Sequence, residues 1–175
     1  MKTFLYNLWD NIKIIAITII ITLLFLHFVA QLAVTCGNSM NNTLNNGDLL
    51  IMEKITTRFL ELKRYDVVVF DSENEKHENF IKRVIGLPGE TVRIDQDGVI
   101  YINGNKLSDD KYGAEQIKDP GRAKTEIKLG ENEYFVMGDN RNESLDSRFD
   151  EVGNVRIDQI KGKVMFSIYP IKKIY

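Results

Sequence analysis

A serine and a lysine are the residues of this chain whose types and settings most directly suggest catalysis. Ser39 lies in the short segment Gly37-Asn38-Ser39-Met40, just after a long apolar stretch, and Lys82 lies within the apolar, strand-like run 80–85. A serine hydroxyl becomes a nucleophile only when another group removes its proton. A lysine enclosed by apolar side chains can do this, because burial disfavours its charged form and lowers its pKa. If the two side chains meet, the pair is suited to hydrolysis through an acyl-enzyme.

The strand around Lys82 contains a second cation, Arg83. Alternation along a strand places these two side chains on opposite faces, and both faces are otherwise largely apolar. Arg83 must then find a carboxylate, whereas Lys82 must either find one or become neutral. The alternative is that both cations pair with surface acids and that Lys82 extends its amine into solvent.

A loop from Gly138 to Arg148 concentrates polar side chains that could support such a pair. It contains Asp139, Asn140, Arg141, Asn142, Glu143, Ser144, Asp146 and Ser147. A loop of this composition can be a hydrogen-bonded polar turn, or it can supply a hydroxyl that orients an amine. The sequence of the loop alone is compatible with both.

The nucleophile candidate follows a segment that is apolar enough to anchor the chain in a membrane. Residues 14–34 contain no Asp, Glu, Lys or Arg, and about 20 apolar residues suffice for a helix to cross a bilayer. Lys2 and Lys13 precede the segment, which predicts a cytoplasmic N-terminus at residues 1–13 and an extracytoplasmic domain at residues 36–175. A cleaved signal peptide and a lipoprotein signal ending at Cys36 are the alternatives, and both lack the expected small residues at the cut.

The remainder of the chain predicts a mostly β domain. Short β-branched or alternating runs are separated by turns rich in Gly, Asn and Asp, which is typical of an antiparallel sheet, barrel or sandwich. The stretch 108–125 is polar and predicts a surface insertion. The predicted strands cover 49–52, 66–70, 80–87, 91–95, 99–102, 133–137 and 163–169.

Composition narrows the remaining functions. The chain has 175 residues and a net charge of −2, with no long block of one sign, and so gives no indication of a nucleic-acid partner. Its one cysteine excludes an intramolecular disulfide, and no cluster of Cys and His indicates a metal. We therefore expect neither a metal nor another cofactor.

Three segments, in this order behind one N-terminal anchor, resemble the bacterial type I signal peptidases, in the short form typical of Gram-positive bacteria. The resemblance extends from the anchor to near the C-terminus. The matching motifs are Ser39-Met40 with Thr43-Leu44 and Gly47-Asp48, then Arg64-Tyr65-Asp66-Val67-Val68, then Lys82-Arg83-Val84-Ile85-Gly86 with Pro88-Gly89, and finally Gly138-Asp139-Asn140-Arg141 with Ser144, Asp146, Ser147 and Arg148.

The resemblance implies an antiparallel β catalytic domain and a membrane-bound serine endopeptidase that removes signal peptides from exported preproteins. It also implies roles for individual residues. Ser39 is then the nucleophile, with its backbone N–H in the oxyanion hole, and Lys82 is the general base. Ser144 holds the amine of Lys82, Asp139 pairs with Arg83, and Asp146 and Arg148 brace the site.

Two positions differ from the pattern of the family. Asn42 stands where the family usually has proline, which predicts a looser nucleophile loop or an additional hydrogen bond. Gly37 stands where some members place a hydroxyl near the oxyanion, so that backbone N–H groups must serve there.

The sequence is also compatible with other functions. An autoprotease of the SOS-repressor type shares the serine–lysine pair but needs a DNA-binding domain and no anchor. A signal peptidase dedicated to pilin precursors and a non-catalytic, membrane-anchored factor for pilus assembly are further alternatives. A triad of Ser39 with His77 is a last option, although His77 lies in the charged stretch 73–78, which is typical of a solvated loop.

Overall fold

The first element of the computed structural model, which describes residues 2–72, 78–113 and 115–174, is a long apolar helix. This helix, α1 (Lys2–Phe28), leads directly into the strand β1 (Ala30–Val34). Within α1, the span Trp9–Leu26 has a mean hydropathy of 1.9, and none of its residues is buried by the protein. Its length and composition are therefore sufficient to cross a bilayer.

The predicted membrane segment 14–34 is wrong at its C-terminal end. Residues 30–34 form β1 and pair antiparallel with a second strand, from Ala30 opposite Glu53 to Val34 opposite Leu49. An apolar run has the same hydropathy in a helix and in a strand. The neighbouring strand decides the conformation here, because it supplies hydrogen-bond partners for the backbone after α1 ends.

Twelve strands, two α-helices and three short 3₁₀-helices make up the described fold, and the 3₁₀-helices cover Gly121–Lys124, Arg141–Glu143 and Ile157–Gln159. All seven strands predicted from the sequence are present, with ends that shift by up to a few residues. The elements after β1 are β2 (Leu49–Glu53), α2 (Ile55–Phe59), β3 (Val67–Asp71), β4 (Asn79–Gly86), β5 (Thr91–Ile94), β6 (Ile100–Ile102), β7 (Asn105–Lys106), β8 (Ile127–Lys128), β9 (Glu133–Met137), β10 (Val155–Arg156), β11 (Ile160–Tyr169) and β12 (Ile171–Lys173).

The strands form two antiparallel sheets. The larger sheet has the order β1-β2-β11-β3-β4-β9-β10, with β12 paired to β11, and the smaller has the order β7-β6-β5-β8. Each neighbouring pair on the path from β1 to β4 is antiparallel, so β1 and β4 run in the same direction. Side chains of both strands line one cleft, which places them across from each other although three strands separate them in the sheet.

The central strand β3 is buried on both faces and divides the core of the larger sheet. Val67 and Val69 belong to one apolar cluster, which also contains Met40 and Leu44. The alternate residues Val68 and Phe70 belong to another cluster on the opposite face. Because alternate side chains enter apolar clusters on opposite faces, every residue in this part of the strand is apolar, and its sequence shows no alternation.

The polar stretch 108–125 is not a surface insertion throughout. Ile117 and Ala123 are 4% and 0% exposed and belong to the cluster that packs beneath the smaller sheet. The polar residues between these apolar positions obscure the pattern, because the stretch has no regular strand or helix period. The segment is anchored in the core and reaches the loop 138–148, as the site shows.

Candidate active site

Ser39 lies on the connection between β1 and β2, in a loop that is closed at its base. Thr35 and Asp48 join the two ends of this loop. The Thr35 N–H donates to the Asp48 carbonyl at 3.0 Å, and the Asp48 N–H donates to the Thr35 hydroxyl at 2.9 Å. Met40 and Leu44 are 4% and 1% exposed and hold the loop against the core, so Ser39 lies at a defined position beside them.

The turn after Ser39 depends on an unusual backbone conformation at Asn42. The Met40 carbonyl accepts hydrogen bonds from the N–H groups of Thr43 and Leu44, at 3.1 and 2.8 Å. Between them Asn42 has φ of +87°, a region that asparagine tolerates better than most residues. Proline is restricted to φ near −65° and cannot adopt this conformation. The turn seen here could therefore not form with proline at position 42, and Asn42 does more than loosen the nucleophile loop.

The structure brings Lys82 to Ser39. The Lys82 Nζ lies 2.7 Å from the Ser39 Oγ, and the lysine is 4% exposed. The amine also lies 5.2 Å from the centre of the Phe80 ring. Removal from water lowers the pKa of Lys82 to about 8, opposed by the carboxylate of Asp146 and assisted by the cation of Arg148. Lys82 is therefore neutral in a substantial fraction of molecules at moderately alkaline pH.

The adjacent cation, Arg83, is fully buried and paired with Asp139. Its Nε and Nη2 donate to the two carboxylate oxygens of Asp139 at 2.8 and 2.6 Å, and both side chains are 0% exposed. A bidentate pair of this kind satisfies two buried charges at once. The two consecutive basic side chains of the strand are therefore buried differently: Arg83 is paired with a carboxylate, whereas Lys82 has a lowered pKa.

Sequence reasoning missed three partners of this ion pair. The Thr43 hydroxyl donates to Asp139 Oδ2 at 2.6 Å, and the Tyr65 carbonyl accepts from Arg83 Nη1 at 2.8 Å. The Tyr112 ring lies 3.5 Å from the Arg83 guanidinium carbon. Thr43 and Tyr65 stand within the motifs, which was an available signal, whereas nothing in the polar stretch 108–125 pointed to Tyr112.

Asp146 and Arg148 form a second buried ion pair behind the loop. The Arg148 Nε and Nη2 donate to Asp146 at 2.8 and 2.9 Å, and the two residues are 1% and 0% exposed. Asp146 also accepts the Gly138 N–H at 3.0 Å, and the Asp119 carbonyl accepts from Arg148 at 3.1 Å. The pair therefore ties both ends of the loop 138–148 to the segment 108–125.

Ser144 is buried beside the nucleophile loop, but its hydroxyl forms no hydrogen bond to Lys82. Its Oγ has no hydrogen-bond partner in the part of the chain that the structure describes. A Cβ at Gly138 would lie 2.3 Å from this Oγ and 2.4 Å from the Ser39 carbonyl oxygen. Glycine at 138 is thus what allows the loop to approach Ser39 so closely, a role that the sequence did not reveal.

The backbone N–H of Ser39 is available to a ligand. Among the described residues it donates to no acceptor, whereas the Ser39 carbonyl accepts the Asn140 N–H at 3.0 Å. The Asn140 side-chain amide also donates to the Asn38 carbonyl at 3.2 Å. Asn140 therefore holds the loop from its carbonyl side and leaves the Ser39 N–H free to stabilise an oxyanion.

Ser39 and Lys82 lie on a cleft of about 800 Å³ between the outer edges of two strands. One wall is β1 with the loop that follows it, and the other is the beginning of β4, with Met52 and Val69 between them. Residues 79–82 pair with β3 on one side only, because β9 begins its pairing with β4 at Arg83. Both walls therefore present unpaired backbone groups within the described structure.

No group of three or more His, Cys, Asp or Glu side chains that could hold a metal occurs among residues 2–72, 78–113 and 115–174. His77, the alternative base, lies outside the described residues.

The site combines a serine hydroxyl with a buried lysine amine that is hydrogen-bonded to it, at the edge of a β domain. This is the arrangement of a serine–lysine hydrolase.

Comparisons with known proteins give a narrower assignment. A family model described as "Signal peptidase, peptidase S26" matches residues 8–169. Signal peptidase I of Bacillus licheniformis is 35% identical, over 96% of this chain and 92% of that protein. Signal peptidase I T of Bacillus subtilis strain 168 is 36% identical, over 99% of this chain and 90% of that protein. A crystal structure of a signal peptidase I from Enterococcus faecalis V583 is 34% identical and covers 59% of this chain and 96% of its own, with a TM-score of 0.48.

The chain therefore belongs to the signal peptidase S26 family. It is a serine endopeptidase of the signal peptidase I type, whose reaction is the removal of signal peptides.

Proposed function

We propose that this chain cleaves signal peptides from exported preproteins with Ser39 as nucleophile and Lys82 as general base. The observation that carries the proposal is the distance of 2.7 Å between the Lys82 Nζ and the Ser39 Oγ, at a lysine that is 4% exposed. At this distance a neutral amine can take the hydroxyl proton as the oxygen attacks the scissile carbonyl.

The cycle consists of two acyl transfers. In the first, the Ser39 oxygen bonds to the carbonyl carbon, the proton passes to Lys82 and then to the leaving amine, and the mature protein departs. In the second, Lys82 takes a proton from water as the water oxygen attacks the ester carbon. The ester C–O bond then breaks, the proton passes from Lys82 to the Ser39 oxygen, and the signal peptide leaves as a carboxylic acid that ionises in solution. The Ser39 N–H, which has no acceptor among the described residues, stabilises the oxyanion in both steps.

The remaining site residues act through these two. Asp139 and Arg83 hold β4 against the loop 138–148 by a fully buried bidentate pair. Asp146 and Arg148 brace the same loop from behind. We assign to Ser144, whose hydroxyl is buried without a partner in the described structure, the role of accepting a hydrogen bond from Lys82 during the reaction.

Substrate binds in an extended conformation in the cleft, as an added strand. The outer edge of β1 and the first half of β4 offer backbone groups to a peptide lying between them. Five residues of β1 separate α1 from the nucleophile loop, which corresponds to roughly 17 Å of extended chain. A signal peptide that emerges from the bilayer beside α1 must span a similar length to reach Ser39.

Membrane attachment through α1 completes the proposal. Every residue of Trp9–Leu26 is exposed or half-exposed to the surroundings of the protein, as a lipid-facing helix requires. Lys2 before this span and Lys13 near its N-terminal end favour a cytoplasmic location for that end and an extracytoplasmic location for the catalytic domain. Enzyme and substrate, both held in the bilayer, then meet at high effective concentration.

The test is cleavage of a panel of preproteins, including a pilin precursor, by the full-length protein in detergent or liposomes. We expect Ser39→Ala and Lys82→Arg to lose at least about 10²-fold in kcat/KM, because arginine stays protonated and cannot act as a base. Lys106→Arg, the same exchange at an exposed position, is the matched control. Processing that survives either Ser39→Ala or Lys82→Arg contradicts the mechanism. Cleavage of the pilin precursor alone assigns a dedicated peptidase, and no Ser39-dependent cleavage of any substrate favours an assembly factor.

Orientation is tested with the single cysteine. Cys36 is exposed, so a maleimide that cannot cross the membrane should label it in intact cells without a cell wall. A Cys36→Ser variant that carries Thr3→Cys moves the thiol to the N-terminal segment and should react only after lysis. Labelling in the reverse order would invert the proposed topology.

A further inference from the structure

The direction of the substrate in the cleft follows from the strands. β1 starts where α1 ends and runs towards Ser39, and β4 runs parallel to it towards Lys82. A preprotein held in the bilayer by its signal peptide enters this cleft from the α1 side. Its residues before the cut therefore lie beside β1 and the start of β4, and its residues after the cut lie beyond Ser39.

The loop 138–148 occupies the region beyond Ser39. β4 continues past Lys82 into Arg83, whose partner Asp139 begins this loop. Two of its exposed side chains, those of Glu143 and Leu145, line the same cleft as Ser39. They are therefore placed to contact the first residues of the mature protein.

Hydrogen bonds hold the carboxylate of Glu143 near the nucleophile loop. The Asn140 side-chain amide donates to Glu143 Oε2 at 3.1 Å and to the Asn38 carbonyl at 3.2 Å. The Glu143 N–H donates to the Asn140 carbonyl at 3.0 Å. One amide thus links the carboxylate to the residue that precedes the nucleophile.

Among the described residues, no lysine or arginine forms an ion pair with Glu143. Arg141, two residues earlier, is paired with Asp110 at 2.7 Å instead. At the opposite end of the cleft, Lys161 is paired with Asp71 at 3.2 Å. Leu145 is 45% exposed beside Glu143, and it offers an apolar surface to the methylene stem of a long cationic side chain.

We infer that Glu143 selects preproteins with a lysine or arginine among the first residues after the cut. The ammonium or guanidinium pairs with the Glu143 carboxylate while its stem lies on Leu145. An acidic residue at the same substrate position meets repulsion from Glu143. This inference rests on the proposed function, since it concerns the same cleft and the same reaction.

The experiment compares three forms of one preprotein. The first three residues after the cut are all Lys in one form, all Ala in the second and all Glu in the third. The readout is the ratio of kcat/KM for the Lys form to that for the Glu form, so that any general loss of activity in a variant cancels. For the wild-type protein we expect a ratio of about three to ten at low ionic strength, typical of an exposed charge pair, and a smaller ratio at 0.5 M NaCl.

Charge exchange at Glu143 provides the decisive comparison. Glu143→Gln should bring the ratio close to one, and Glu143→Lys should invert it. Glu131→Lys changes the net charge equally at an exposed position that does not line the cleft, and it should keep the wild-type ratio. A wild-type ratio of one, or an equal ratio in Glu143→Lys and Glu131→Lys, overturns the inference and leaves the proposed function intact. No cleavage of any form by the wild-type protein refutes the proposed function itself, and the inference with it.

Discussion

Replacing the proposed general base by methionine should stabilise the folded protein. Lys82 is 4% exposed, and its burial lowers the pKa from 10.5 to about 8. The folded state therefore disfavours the charged amine that the unfolded chain carries at neutral pH. Methionine has a similar length, is apolar and is tolerated in irregular core positions.

The size of the effect follows from the shift in pKa. Each pKa unit corresponds to 1.36 kcal/mol, so the shift of Lys82 amounts to about 3 kcal/mol of lost stability at pH 7. Loss of the hydrogen bond to Ser39 offsets about 1 kcal/mol of the gain. We therefore expect Lys82→Met to raise the free energy of unfolding by about 2 kcal/mol, or Tm by roughly 4–8 °C.

The pH dependence separates this cause from ordinary repacking. Below pH 8 both states bind the proton of Lys82, and the folded state carries the full cost. Between the folded pKa of about 8 and the ordinary value of 10.5, the unfolded chain binds more protons than the folded protein, so wild-type stability rises with pH. The advantage of Lys82→Met should accordingly shrink as the pH rises from 7 to 10.

The assay is thermal unfolding of the full-length protein in detergent at pH 7, 8.5 and 10, with Lys106→Met as the control. Lys106 is exposed, and the control should change Tm little at any pH. A Lys82→Met variant that is less stable than wild type at pH 7, or equally stabilised at pH 7 and pH 10, would refute the reasoning. Its peptidase activity should be absent throughout.

Three further predictions concern the support of Ser39. Asn42→Gly should keep activity, because glycine readily adopts positive φ. Asn42→Pro should lose about 10²-fold in kcat/KM, because proline cannot adopt the φ of +87° found at this position. Equal activity of the two variants would contradict the turn described above. Gly138→Ala should reduce kcat/KM at least as strongly, because its Cβ would lie 2.4 Å from the Ser39 carbonyl oxygen, and retention of wild-type kinetics would show that the loop can move aside. Lys172 Nζ donates to Asp48 Oδ2 at 2.7 Å, at the base of the nucleophile loop, so Lys172→Ala should reduce kcat about three- to tenfold and Lys172→Arg should restore it. The control is Lys173→Ala, at the exposed neighbouring residue. A similar loss in this control would argue against a specific role of the Lys172–Asp48 contact.

Strands with a continuous apolar run or a clear alternation of four or more residues could be predicted, and very short strands could not. The run 66–70 and the alternating run 91–95 correspond to β3 and β5. The strands β7, β8 and β10 have two residues each, and so short a strand has no period that a sequence can display. They exist because neighbouring strands supply their hydrogen-bond partners.

The error at residues 30–34 has the same origin. Apolar residues continue from α1 into β1 without a change in composition. Only the pairing of Ala30 to Val34 with β2 shows that the backbone leaves the helix there. The consequence matters for function, because this strand forms one wall of the cleft.

The sequence by itself determined the chemical inventory of the site. A serine after an apolar anchor, two cations within a buried strand and a polar loop with carboxylates are local features, and the requirement that buried charges be paired or neutralised follows from elementary solvation. That requirement already indicated a carboxylate for Arg83, and for Lys82 either a carboxylate partner or a neutral form.

Tertiary structure decided how these residues meet. The distance between Lys82 and Ser39, the unpartnered hydroxyl of Ser144 and the stacking of Tyr112 on Arg83 each depend on segments that are far apart in sequence. The close approach at Gly138 depends in the same way on Ser39, across the fold. Such contacts arise from the order in which distant strands pair and from the packing of loops on the sheet. No local sequence pattern encodes them.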